Sequence, residues 1–184
     1  FLGSGKGGGV ELTLNSLVSG LLKMGHKVNV IAPIKSKLNS NNNSANLYCV
    51  DGLEQDSWQH KDYFAKETMT SESIVFNMFE KALSLKLDSD VILNLSYDVF
   101  PIKETLKLNT PLAHLISMGD ESFEINNVIS KVYNKYPNNF AFHTLSQASD
   151  FTFINNPNIV GNGFDLSNYK FQDCQNGPLA WVGR

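Results

Sequence analysis

The stretch "GSGKGGGVEL", Gly3 to Leu12, decides how the chain is read. Glycine stands at positions 3, 5, 7, 8 and 9, directly before an apolar-periodic segment. Glycine at this density carries a heavy conformational-entropy cost if it only makes a turn, so it marks backbone brought close to a ligand. Backbone N–H groups at a helix start attract anions, and missing side chains permit close approach. Gly3, Gly5 and Gly8 satisfy the G-x-G-x-x-G of a dinucleotide fold, and Lys6-Gly7-Gly8 opens like the Walker loop of ParA/MinD-type ATPases. Both patterns break further on. The ATPase loop needs a lysine three residues after the Gly-Gly pair, and Glu11 stands there. A carboxylate at that place repels phosphate by about 1–4 kcal/mol at ~4 Å. Leu12, next in line, cannot ligate Mg²⁺. The dinucleotide fold needs an acid at the end of its second strand for the ribose hydroxyls. The corresponding segment ends "VIAPIK", without one.

Working outward, "ELTLNSLVSGLLKMG" predicts an amphipathic helix, with Leu14, Leu17, Val18, Leu21 and Leu22 recurring at helical spacing. Gly25 is its expected C′ residue. "HKVNVIAP" then predicts a buried strand at Val28–Ala32, stopped by Pro33. Glycine loop, helix and strand make the second half of a βαβ unit. The expected first strand is missing, because only Phe1 and Leu2 stand before Gly3. Its loss would leave the next strand's edge unpaired and a helix face uncovered. The Asn-rich run 36–46 predicts a loop, and "NLYCV" a short strand. Residues 51–70 show no clear periodicity. "SESIVFNMFEKALSLK" and "ESFEINNVISKVYNKYP" predict helices. "DVILNLS", "PLAHLIS" and "FAFHTLS" predict strands, "NIVGNGF" an exit through a turn, and "PLAWVGR" a strand that begins and stops at Arg184. Strands alternating with helices predict an α/β, Rossmann-like, mostly parallel sheet with helices on both faces.

Composition excludes several classes. A chain of 184 residues, 42% hydrophobic, buries one sizeable core. The 15 Lys and Arg are scattered and the net charge is −3, so there is no electrostatic footprint for nucleic acid. No apolar run approaches the ~20 residues of a transmembrane helix. No signal peptide is visible, and the two cysteines, Cys49 and Cys174, are far apart, so a cytoplasmic protein with reduced thiols is expected. No His/Asp/Glu cluster has metal-ligand spacing.

Read as a series, "GGGVELTLNSLVSGLLKMGHKVNVIAP", "SDVILNLSYD", "TPLAHLISMGD", "HTLSQASDF", "IVGNGFDLSNYKF" and "PLAWVGR" resemble, in order, the segments of glycosyltransferase family 4. The likeness covers nearly the whole chain. "GSGKGGGVELTL", "LNLSYD", "PLAHLISMG" and "LAWVGR" look most like the subgroup that moves glucose from UDP-glucose to tetrahydrobiopterin. The resemblance implies a GT-B fold, two Rossmann-like domains with the reaction in the cleft between them. Residues 1–178 would be the acceptor-binding N-terminal domain, and residues 179–184 the start of a missing donor-binding domain. The implied reaction is glycosyl transfer with retention, without metal or cofactor, between a UDP-sugar donor and a small-molecule acceptor such as a pterin. A lipid or sugar acceptor stands as an alternative, and a non-catalytic ligand-binding module as one of another class.

The family's roles are carried over residue by residue. Gly8 and Gly9 would face the donor diphosphate, and Arg184 matches the arginine that clamps it; a guanidinium's donors form a rigid fork suited to phosphate. Glu11 also suits the helix start by its charge alone. Many members have a histidine at the end of the strand that here reads "AHLIS", but Ser117 stands there and His114 falls three residues earlier, as a core histidine. No catalytic residue is therefore assigned. Ser117, Met118, Gly119 and Asp120 follow one central strand, at the carboxyl edge where open α/β sheets bind ligands. Asn94, Tyr97 and Asp98 follow its neighbour. Tyr97 is a candidate to stack on a flat acceptor and Asp98 to bond a pterin's amino group. Asn162 and Asp165 are expected to shape the interdomain turn.

Overall fold

The computed structural model describes residues 1–4, 8–86, 89–109, 111–163 and 177. Lys6, Asp165, Cys174, Arg184 and the expected "PLAWVGR" strand lie outside the described residues.

Helix α1 (Gly8–Lys23) forms where the leucine spacing predicts it. Gly8 opens it at φ +58°, a conformation that glycine adopts without strain. The Glu11 side chain reaches back and accepts the Gly3 N–H at 2.6 Å, tying the turn to the helix. At the other end Gly25 has φ +86°, the His26 N–H reaches the Leu21 carbonyl and the Gly25 N–H that of Leu22, each at 3.0 Å. That is the Schellman arrangement expected of a C′ glycine. Strand β1 (Asn29–Pro33) follows, then β2 (Asn46–Val50), paired parallel with β1 in register Asn29 to Asn46. Helix α2 (Ile74–Ser84) packs on these two strands.

The remaining strands are β3 (Ile92–Asn94), β4 (Leu112–Ile116), β5 (Phe140–Phe142) and β6 (Asn158–Ile159), a parallel four-stranded sheet in that order. Helices α3 (Val99–Glu104), α4 (Phe123–Lys135) and α5 (Leu145–Ser149) connect them. Ser122 caps α4 by accepting the Ile125 N–H. The α4 stripe Ile125, Ile129, Val132 and Tyr133 is buried in one cluster with Trp58, Val99, Ile102, Ile116, Phe140, Phe142 and Phe151. The chain is thus α/β and Rossmann-like, with parallel strands flanked by helices.

Three details differ from the sequence expectation. One sheet is expected, but the described strands make two, one of β1 and β2 and one of β3 to β6. Helix α3 is not foreseen, because its six residues are too few to show a period; Pro101 is tolerated there because it sits in the first turn, where no N–H is needed. "NIVGNGF" contributes the two-residue strand β6 before its turn.

Helix α1 buries Val18 and is held besides by a polar lock. Asn42, 1% exposed, donates its side-chain amide to the Asn15 carbonyl at 3.0 Å. The α1 leucines Leu14, Leu17, Leu21 and Leu22 are only half-buried. Stability is therefore expected to concentrate around α4. Ile129→Ala, in a fully buried site, should cost about 2–5 kcal/mol in urea unfolding. Leu145→Ala, 65% exposed, should stay within about 0.5 kcal/mol of the parent.

Candidate functional site

The carboxyl ends of β1, β3 and β4 meet the start of α1 around a cleft of about 450 Å³. Val10 of α1, Pro33 of β1, Leu95 to Asp98 after β3, and Ser117 and Met118 after β4 all line it. This is the edge where parallel α/β sheets place ligands, because loops there converge from strands that all point the same way. The loop Glu54–Trp58 closes one side.

Of the residues that the sequence points to, Tyr97, Asp98, Ser117 and Met118 line the cleft. Asp98 sits at the N-cap of α3. Burial raises its pKa; the Trp58 indole and the amides of Val99 and Phe100 pull the other way, because they favour the charged form. Tyr97 is half-buried and its hydroxyl donates to the Gly119 carbonyl at 2.8 Å. Burial is also the main cause of its raised pKa. Tyr97 therefore ties the loop after β3 to the loop after β4 while its ring borders the cleft.

Asn94, Gly119 and Asp120 are not among the lining residues; each holds the frame. The Asn94 amide donates to the Ser96 carbonyl at 3.0 Å and to His114 Nδ1 at 3.1 Å. Its oxygen accepts from the Ser96 N–H and hydroxyl. All its hydrogen-bonding capacity is thereby used within the protein. The Gly119 carbonyl is taken by Tyr97, and the Asp120 carboxylate by the Tyr63 hydroxyl and the Asn126 amide. Gly8 and Gly9 open α1 with free space around them: a Cβ on either would meet nothing within 4 Å. Packing within the chain therefore does not account for glycine at Gly9.

Several participants escape the sequence reading. Gln147 of α5 donates to the carbonyls of Ile116 and Met118 at 2.8 and 2.9 Å and accepts the His143 N–H at 3.0 Å. It fixes the end of β4 to the end of β5. Gln55, Asp56 and Trp58 reach the cleft from residues 51–70, whose lack of periodicity hid them. Gln55 buries its Oε1 with no hydrogen-bond partner. Glu67 does the same with its own Oε1, and burial followed by the nearby Asp98 raises its pKa. Among the described residues no group of His, Cys, Asp and Glu could hold a metal ion. No helix of these residues is long and apolar enough to cross a membrane.

His114 is fully buried in β4, stacked on Phe140 at 5.0 Å between ring centroids. Its Nδ1 accepts from Asn94, so Nε2 carries the proton and donates to Thr105 Oγ1 at 2.7 Å. Burial lowers its pKa to about 4. An unfolded histidine titrates near 6.5, so the unfolded chain binds more protons between those values. The contribution of His114 to stability should be present above about pH 6.5 and be lost as pH falls through about 4. The whole span is worth about 3 kcal/mol. Asp98 and Glu67, both raised, act in the opposite sense. Urea unfolding across this range, compared between the parent and His114→Gln, isolates the histidine: the difference between them should shrink as pH falls.

Compared with known proteins, the chain matches no family model and no curated protein.

Proposed function

We propose that the chain is the acceptor-binding half of a retaining glycosyltransferase of family 4 with a GT-B fold. It would receive glucose from UDP-glucose onto a flat, hydrogen-bond-donating acceptor, a pterin such as tetrahydrobiopterin. The observation that carries the reading is the chemistry of the cleft. Its polar lining is rich in acceptors, the carboxylates of Glu54, Asp56 and Asp98. No Lys or Arg is among the described lining residues. Such a wall disfavours a phosphate and favours an amino-pyrimidinone, whose N–H and NH₂ groups present the donors a carboxylate takes in pairs. Aromatic and apolar groups, Tyr97, Leu95 and Met118, supply surface for the faces of the ring. The donor diphosphate then falls to the glycine start of α1, with Gly8 and Gly9, and to Arg184.

Titration of the chain with tetrahydrobiopterin under reducing conditions, followed by backbone amide shifts, tests this. Binding should move the signals of Asp98, Ser117 and Met118. A carboxylate hydrogen bond is worth about 1.5–3 kcal/mol, so Asp98→Ala should weaken binding roughly 10- to 100-fold. Unchanged affinity in that variant, or no binding of the pterin, overturns the acceptor assignment. Mixed with UDP-glucose and pterin, the chain alone should transfer no glucose; measurable transfer overturns the two-domain reading.

A further inference from the structure

We propose that Tyr63, Phe64 and Phe123 form a docking patch for a protein partner that presents arginine beside an apolar side chain. The three rings lie together on the outside of the molecule. Phe64 is 68% exposed, Phe123 42% and Tyr63 38%. The centroids of Tyr63 and Phe64 stand 5.0 Å apart, those of Phe64 and Phe123 5.6 Å, and those of Tyr63 and Phe123 6.4 Å. Single exposed apolar residues are ordinary, but large ones in mutual contact make the contiguous patch that marks an interaction site. Helix α4 packs without this patch, since its buried residues are Ile125, Ile129, Val132 and Tyr133. None of the three aromatics is among the described residues that line the cleft, so the patch is a surface of its own.

The patch is held in shape before anything binds. The Phe64 N–H donates to Asp62 Oδ1 and the Phe123 N–H to the Tyr63 carbonyl, each at 2.9 Å, which joins the turn to the start of α4. The Tyr63 hydroxyl donates to Asp120 at 3.0 Å. A surface ordered in advance loses little conformational freedom on association. Its charge selects the partner. Asp62, Asp120 and Glu121 adjoin the aromatic residues in sequence or by hydrogen bond, and no ion pair among the described residues reaches them. Lys66 beside them is paired with Glu124 at 3.3 Å. Aromatic faces among carboxylates suit a guanidinium, which stacks on the one and bonds the other. The partner's apolar side chain then covers the rings that the guanidinium leaves open. A second copy of this chain, at net charge −3, brings the wrong sign to an acidic patch, and so does an anionic lipid surface.

The test selects short random peptides on the chain and counter-selects them on Phe64→Ala, a change at an exposed turn. The survivors should be enriched in arginine next to Leu, Ile or Met. The affinity of a selected peptide should fall at least about tenfold in Phe64→Ala, because an exposed aromatic anchor concentrates binding energy. Glu121→Lys, at an exposed site, should weaken the same peptide about threefold or more and flatten its salt dependence. Survivors without arginine, no survivors, or equal affinity in both variants and the parent overturns the proposal. So does a self-association of the parent that Phe64→Ala abolishes, which would make the occupant a second copy. Binding of phosphatidylcholine vesicles that depends on Phe64 overturns it too, in favour of a lipid surface.

Discussion

A buried imidazole has two nitrogens and both must be bonded, and much of the cleft's frame follows from that demand at His114. Its position in the middle of β4 leaves no water to serve either nitrogen. Thr105, just after α3, serves one, and Asn94, at the end of β3, serves the other. Asn94 then has its remaining capacity spent on Ser96, which lines the cleft. One core residue thereby couples a strand, a helix end and a loop at the ligand edge. Leaving either nitrogen unserved would cost about 1–3 kcal/mol.

Above that network the loops are cross-tied. Tyr97 bonds the Gly119 carbonyl, Gln147 bonds the carbonyls of Ile116 and Met118, and Asp120 gathers Tyr63 and Asn126. These ties leave Asp98, Ser117 and Met118 at the cleft on a held backbone. On the other wall α1 is held by buried Val18 and by the buried pair Asn15 and Asn42. Asp98 is a carboxylate at a helix start, partly desolvated beside Trp58, and it can accept hydrogen bonds from a ligand's donors.

The elements with strong periodicity were legible in the sequence. Leu14 to Leu22 announced α1, Gly25 its end, and "ESFEINNVISKVYNKYP" helix α4, because burial of one face imposes a helical repeat on composition. His114 read correctly as a core residue from its place in an apolar run. Helix α3 did not show, because six residues span fewer than two turns. Trp58 and Gln55 did not show either, since a loop that folds over a cleft has no period to leave behind. For Asn94 and Asp120, chain position at a strand's carboxyl end pointed toward a ligand, whereas their hydrogen bonds point inward.

The sequence by itself determined the α/β class, the helix boundaries near glycine and proline, and the strand ends where a ligand edge must lie. These are local matters of side-chain spacing and backbone freedom. Only the tertiary structure decided which of the strand-end residues face the cleft and which are consumed in holding it. It also decided that the described strands make two sheets. Both outcomes depend on pairings between residues far apart in the chain, such as Tyr97 with Gly119 or Gln147 with Ile116. A hydrogen bond of that kind is fixed by where two backbones meet in space, and neither partner's own neighbours in sequence carry a trace of it.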